Sequence, residues 1–154
     1  MKKKSNPVAR GGLVNRRARF DYELGDELVA GLELTGQEVR AARDGHVQLK
    51  GAFVTVRANE LWLSNAAFSL KLNERGQSSR TVDTRPRRLL VKRRDIDRFI
   101  AGRQSGHSIV PTKLLTSGRF IKVVIALGRG KKRYDKRETI KRRDIDREHK
   151  RMIR

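Results

Sequence analysis

The segment that most limits what this chain can fold into is "GRGKKRYDKRETIKRRDIDREHKRMIR", Gly128 to Arg154. Thirteen of its residues are Lys or Arg and five are Asp or Glu, a net +8. Its apolar residues beyond Tyr134 are Ile140, Ile145, Met152 and Ile153. Ile140 and Ile145 stand five apart, so they make no tight helical stripe. Charge spacing nevertheless favours a helix from about Lys136. Glu138 and Arg142, and Asp146 and Lys150, stand at i, i+4; Asp144 and Arg147 stand at i, i+3. Each such pair adds only about 0.2–0.5 kcal/mol. A helix with so little to bury is marginal alone and gains most from an anionic partner.

The rest of the chain shares that charge. The net formal charge is +21 in 154 residues, and hydrophobic and charged residues each make up 36%. Self-repulsion on this scale is offset best by a polyanion, which makes nucleic acid the expected partner. Neutralising about eight phosphates would give a log–log salt slope near −6 to −7. An anionic membrane would need an apolar helix face or a lipid anchor, and the sequence offers neither. "MKKKSNPVARGG" has no apolar stretch after its lysines, so no signal peptide is expected there and the chain reads as cytoplasmic. The absence of cysteine removes disulfides, thiolate nucleophiles and Cys-ligated zinc.

Between the basic ends lies a strand-rich region. "ELVAGLEL" (27–34) sets Leu28, Ala30 and Leu32 on one face. "HVQLKGAFVTVR" (46–57) alternates in two runs whose parity changes at Gly51-Ala52, predicting a bulge or bend. "ELWLSNAAF" (60–68) follows a tight hairpin at Ala58-Asn59. "RRLLVKR" (87–93) is a short strand, and 108–128 reads as two strands joined at Ser117-Gly118. Pro111 predicts an edge or a bulge in the first of these. Helices are expected at 35–45, where Thr35 and Glu38 have capping-box spacing, and at 93–104, where Ile96, Phe99 and Ile100 share a face. "NERGQSSRTVDTRPRR" (73–88) shows no period and is expected to be a mobile loop. The sum is a mainly β fold: an OB-like closed barrel over 15–128 with one to three short helices. A flexible basic arm over 1–14 would precede it, and a basic tail over 129–154 would follow.

No catalytic constellation emerges. His46, His107 and His149 are scattered, and no carboxylate pair or metal-ligand spacing stands out, so neither metal nor cofactor is expected and the chain reads as non-enzymatic. Glu38 admits two readings: a capping carboxylate for Thr35, or an acceptor for a base N–H or a 2′-OH. Trp62 is either packing or a stacking platform.

In order, "NRRARFDYEL", "AGLELTGQEVRAARDGHVQLKGAFV", "LWLSN", "TRPRRLLVKRRDIDRFI", "VPTKLL" and "IKVVIALGRGKKRYDKRETIKRRDIDRE" resemble small protein B, the SsrA-binding protein family of bacterial trans-translation. The resemblance runs from about Asn15 to Glu148, and "GKKRYDKR" (130–137) is its most specific element. It implies an OB-like barrel that binds the tRNA-like domain of transfer-messenger RNA. It also implies a tail that is disordered alone and becomes helical in the empty messenger channel of a stalled ribosome. The implied partners are transfer-messenger RNA and the small-subunit ribosomal RNA at the decoding centre and channel, and the implied state is a monomer. The RNA-binding positions carried over are Asn15, Arg16, Arg17, Arg19, Glu38, Leu90 and Lys122. The tail positions are Gly130, Lys131, Lys132, Tyr134, Asp135, Lys136, Arg137, Ile140, Arg143 and Ile145. The chain departs from the family pattern at Ala67, at Ala52-Phe53 and at Leu115.

Overall fold

The computed structural model describes residues 12–74 and 77–153. Ten strands and four helices follow one another: β1 (Leu13–Val14), α1 (Arg16–Asp21), β2 (Tyr22–Leu32), α2 (Gly36–Arg43), β3 (Val47–Gln48), β4 (Phe53–Arg57), β5 (Glu60–Ser64), β6 (Ala67–Glu74), β7 (Gln77–Asp83), β8 (Arg87–Leu90), α3 (Arg93–Gln104), β9 (Ser108–Leu115), β10 (Lys122–Gly130) and α4 (Arg133–Met152). Seven strands form one antiparallel sheet in the order β1-β9-β10-β2-β8-β5-β4, and β3-β6-β7 form a second.

Turn residues explain how the chain passes between sheets. Ala58 and Asn59 both take positive φ, 47° and 58°, in the two-residue turn that pairs Arg57 with Glu60, as a hairpin of this hand requires. The parity change at Gly51-Ala52 is a turn rather than a bulge. Gly51 has φ 76°, and the Ala52 N–H donates to the Leu49 carbonyl at 3.0 Å. That turn separates β3 in one sheet from β4 in the other. Asn65, at φ 59°, breaks the run expected as one strand over 60–68 into β5 and β6, and its amide donates to the Gly51 carbonyl at 3.1 Å.

The core is filled by the inward positions, with Ala30, Leu61, Leu63, Phe68, Phe99, Leu114, Val123 and Ile125 fully enclosed. On β2, Leu28, Ala30 and Leu32 face inward and Val29 faces out, as their alternation predicts. On α3, Ile96 and Phe99 point into the same core.

Closure of the barrel is not confirmed. No hydrogen-bonded ladder closes the seven-stranded sheet among the described residues. It curls until β4 lies beside β9, leaving a groove lined by Phe53, Val54 and Thr55 on one side and Ser108, Ile109 and Val110 on the other. Two features keep this seam open. β1 occupies part of the β9 edge, pairing Leu13 with Leu114 and Val14 with Lys113. Pro111 brings no N–H to β9, and the register slips where Val124 and Ile125 of β10 face Lys113 and Pro111. The Asn15 side-chain amide bridges the gap instead, donating to the Leu49 carbonyl at 3.0 Å and the Pro111 carbonyl at 2.9 Å.

Other expectations shift as well. The loop expected over 73–88 contains β7, which pairs with β6 from Phe68↔Asp83 to Lys71↔Arg80. Its residues Arg80, Thr81 and Val82 are all exposed, so no apolar alternation announces it. Helix α1 was not foreseen. The arm expected over 1–14 ends in β1; residues 1–11 lie outside the described residues. Strand β10 runs to Gly130, two residues past Gly128.

Candidate RNA interface and tail

Helix α1 carries three of the expected RNA contacts. Asn15 caps it, its Oδ1 accepting from the Ala18 N–H at 3.3 Å. With both amide hydrogens bonded to Leu49 and Pro111, and 7% of its surface exposed, Asn15 holds the helix in place from inside the fold. Arg16, Arg17 and Arg19 are exposed. Arg17 pairs with Asp21 at 2.7 Å and lies 5.6 Å from the centre of the Phe20 ring. The structure therefore separates a buried pin from the cations it presents.

Leu90 and Lys122 come together across the sheet. Leu90 stands opposite Gly31, and Gly31 stands opposite Lys122, so the three form one transverse row. Leu90 is 53% exposed on that row. Val29 lies exposed on the same outward face of β2. An added Cβ at Gly31 would come 3.1 Å from the Leu90 Cβ, so glycine keeps this shelf flat. Apolar surface flanked by a lysine suits a base or ribose whose phosphate meets the ammonium. Neither Gly31 nor Val29 was singled out from sequence; only strand register brings them beside Leu90.

Glu38 sits at the other extreme. It is 1% exposed. The capping box forms in full: the Thr35 N–H donates to Glu38 Oε2 at 2.8 Å, and the Glu38 N–H donates to Thr35 Oγ1 at 3.4 Å. Two arginines complete its shell. Arg87 Nε reaches Oε1 at 2.9 Å, and Arg85 reaches Oε1 and Oε2 through Nε (3.1 Å) and Nη2 (2.9 Å). Burial pushes the Glu38 carboxyl up, but the Thr35 N–H and the two guanidiniums outweigh it, leaving the group below its ordinary value. Arg87 is itself wholly buried, stacked 3.9 Å from the Phe68 ring centre, and donates to the carbonyls of Ala66, Arg85 and Asp83. Burial pulls its affinity for the proton down while Glu38 and Asp83 restore part of it. The capping reading of Glu38 is seen in full, with both carboxylate oxygens occupied by protein donors.

Trp62 is half-buried on β5 between Thr55 and Arg88, with its Nε1 enclosed and unpartnered. It acts as packing. No group of three or more His, Asp or Glu that could hold a metal occurs among the described residues, and no described helix is long and apolar enough to cross a membrane.

The tail leaves the sheet at Gly130 and becomes α4, twenty residues and about 30 Å long. Its start is tied to α1. The Lys131 N–H donates to the Asp21 carbonyl at 2.9 Å, and Lys131 Nζ donates to the Arg19 carbonyl at 3.2 Å. Lys136 Nζ meets Asp21 Oδ1 at 3.0 Å. Burial pushes the Asp21 carboxyl up, yet hydrogen bonds from Lys136 and Arg17 hold it below its ordinary value. Asp135 accepts from the Lys132 N–H at 3.1 Å, which caps the helix and places a negative charge at its positive end. Beyond that, α4 buries nothing. Tyr134, Ile140 and Ile145 are 63%, 45% and 54% exposed, and Arg137 and Arg143 are exposed with them. Ile140 and Arg143 border a groove shared with Val14, Arg16 and Phe20, whereas Tyr134 and Ile145 border another groove with Glu23. Of the three ion pairs expected along the tail, only Asp144–Arg147 is within reach, at 3.8 Å, among the described residues.

The family model described as "SmpB protein" matches residues 13–154. A curated relative called SsrA-binding protein, from Shouchella clausii (strain KSM-K16), is 41% identical over 140 residues, covering 90% of this chain and 88% of the relative. Another SsrA-binding protein, from Methylobacterium nodulans (strain LMG 21967 / CNCM I-2342 / ORS 2060), is 40% identical over 156 residues, covering 100% and 98%. A solved structure described as "tmRNA-SmpB: a journey to the center of the bacterial ribosome" superposes with a TM-score of 0.63 at 34% identity, covering 84% of this chain and 94% of that one. The match takes in the cationic helix α1, the Leu90–Gly31–Lys122 shelf and the tail alike, and this chain belongs to the SmpB protein family.

Proposed function

We propose that this protein binds the tRNA-like domain of transfer-messenger RNA and brings it to ribosomes stalled without a stop codon, enabling trans-translation. The observation that carries this reading is the family match from residue 13 through the tail, which spans two cationic surfaces of different build. On the folded body, Arg16, Arg17 and Arg19 on α1 and Lys122 beside Leu90 meet the RNA. Phosphate contacts from these residues fix its position, and the apolar shelf accepts a sugar or base. No step of this role breaks a bond; the protein works as a monomeric, cytoplasmic adaptor. The body has an OB-like form, with the β4–β9 seam bridged by Asn15 rather than by a strand ladder.

The tail supplies the second half. Gly130, Lys131 and Lys132 set its exit, and Lys136, Arg137 and Arg143 line its cationic surface. Asp135 caps its start. Tyr134 stacks on a base of the decoding centre, and Ile140 and Ile145 seat against the messenger channel. Because α4 buries nothing, its helix depends on the partner and forms fully only where the channel is free of messenger. A filled channel excludes it sterically. Selectivity for stalled ribosomes then follows from the conditional folding.

Recovery of bound RNA from the cell tests the reading. Transfer-messenger RNA in molar amounts is the expected result, and ribosomal RNA alone overturns it. Truncation after Gly130 is expected to leave transfer-messenger RNA binding within about twofold and to abolish tagging; tagging by the truncated protein would remove the tail from the mechanism.

A further inference from the structure

We infer that Arg85 is a phosphate-binding residue for the RNA and that Glu38 is its positioning residue. This rests on the RNA-binding reading above and assigns to that surface a contact it lacked.

Glu38 cannot itself receive a ligand. A carboxylate offers about four lone-pair directions. The Thr35 N–H, Arg87 Nε, and Arg85 Nε and Nη2 occupy four. At 1% exposure there is also no path for a base or hydroxyl to reach it. Whatever Glu38 does for RNA passes through another residue.

Exposure identifies that residue. Arg87 is fully buried and spans Glu38 at 2.9 Å and Asp83 at 3.6 Å, so it has no edge open to a ligand. Arg85 makes a side-on, two-point contact with the same Glu38 carboxylate while half its side chain remains in solvent. Its backbone is fixed too, since the Arg85 N–H donates to Asp83 Oδ1 at 2.9 Å. Asp83 Oδ2 lies 3.5 Å from Arg85 Nε, on the inner edge of the guanidinium. Of the five N–H groups in the fork, two point to Glu38. The outer edge, Nη1 and the second hydrogen of Nη2, meets no protein acceptor among the described residues. A guanidinium locked along one edge presents the other as a flat pair of donors, the geometry that grips a phosphate at two points. Preorganisation by a buried acid removes the rotamer entropy that an unrestrained surface arginine would lose on binding. β7 leads directly into this site and carries exposed Arg80 opposite Lys71, so the surrounding surface is cationic.

Binding of the transcribed tRNA-like domain across a salt series tests the assignment, with thermal melts alongside. Arg85→Ala is expected to weaken binding about tenfold and to lower the magnitude of the log–log salt slope by about one, with little change in melting. Arg85→Lys keeps the charge without the fork, and is expected to retain the slope while weakening binding. Glu38→Gln is expected to weaken binding comparably, and Glu38→Gln combined with Arg85→Ala no further than the weaker-binding single variant. An unchanged affinity and slope in Arg85→Ala, with wild type binding normally, would overturn the inference alone. So would fully additive losses in the double variant, which would give Glu38 an independent effect. Wild-type protein that fails to bind the RNA would overturn the functional reading together with it.

Discussion

The folded body and the tail helix hold their charges in opposite ways. On the body, a buried glutamate is enclosed by two arginines, one of them also buried, and every polar atom of Glu38 is satisfied. On the tail, cations outnumber acids more than two to one; among the described residues, no side chain of α4 is buried and one ion pair at 3.8 Å joins its exposed charges to each other. The first arrangement is costly to break because a stranded charge would lie in low dielectric. The second costs almost nothing to break because water screens it. The same residue types thus build a buried, fully paired cluster on the body and an exposed helix on the tail. Burial alone separates them.

The most severe way to break this contrast is to remove the buried cation. Arg87→Met leaves Glu38 without its enclosed partner and is expected to cost about 3–5 kcal/mol, read by chemical denaturation. A loss under about 1 kcal/mol would mean that the network is no more demanding than a surface pair.

Asp21 joins the two regions and comes next. Asp21→Asn is expected to speed amide exchange along α4 several-fold while leaving the main melting transition of the body in place. Acid does the same. The folded Asp21 carboxyl titrates below its ordinary value of 3.8, so its contribution is present above that pH and fades as pH falls through the lower folded value. Tail exchange that stays flat down through this range would show that α4 is held by something else.

Within the tail the effects are smaller. Asp135→Ala removes the acceptor for the Lys132 N–H and the charge at the helix start, and is expected to cost α4 about 0.3–1 kcal/mol, seen as reduced helicity by circular dichroism. Arg147→Ala removes the one ion pair formed within the tail among the described residues and is expected to change helicity or stability by less than about 0.5 kcal/mol. An Arg147 effect as large as that of Arg87 would erase the distinction between the regions.

Much of the fold was legible because period-two alternation is a local property. β2, the β4–β5 hairpin at Ala58-Asn59, β9, β10 and both longer body helices follow from short stretches of residues. β7 was not legible. A strand exposed along Arg80, Thr81 and Val82 has no apolar side to betray it, and it exists because β6 offers an edge. α1, six residues long, depends on the Asn15 cap and on carbonyls 34 and 96 positions away. The open seam likewise turns on Pro111 and Asn15 meeting across the gap. Among the candidate site residues, the exposed cations Arg16, Arg17, Arg19 and Lys122 lie where a charged side chain is expected to lie. Asn15 and Glu38 do not, because their burial is a consequence of which carbonyls and guanidiniums surround them.

The sequence by itself determined the charge, the strand-rich body, the capping box at Thr35–Glu38 and the low burial capacity of the last 27 residues. Each follows from composition or from spacing within a few residues. Tertiary structure decided that Leu90, Gly31 and Lys122 form one row, that Arg85 and Arg87 converge on Glu38, and that Asp21 ties Lys136 to α1. These pairings join residues tens of positions apart. Strand register and burial select them, and neither can be read from a side chain's identity until its neighbours are in place.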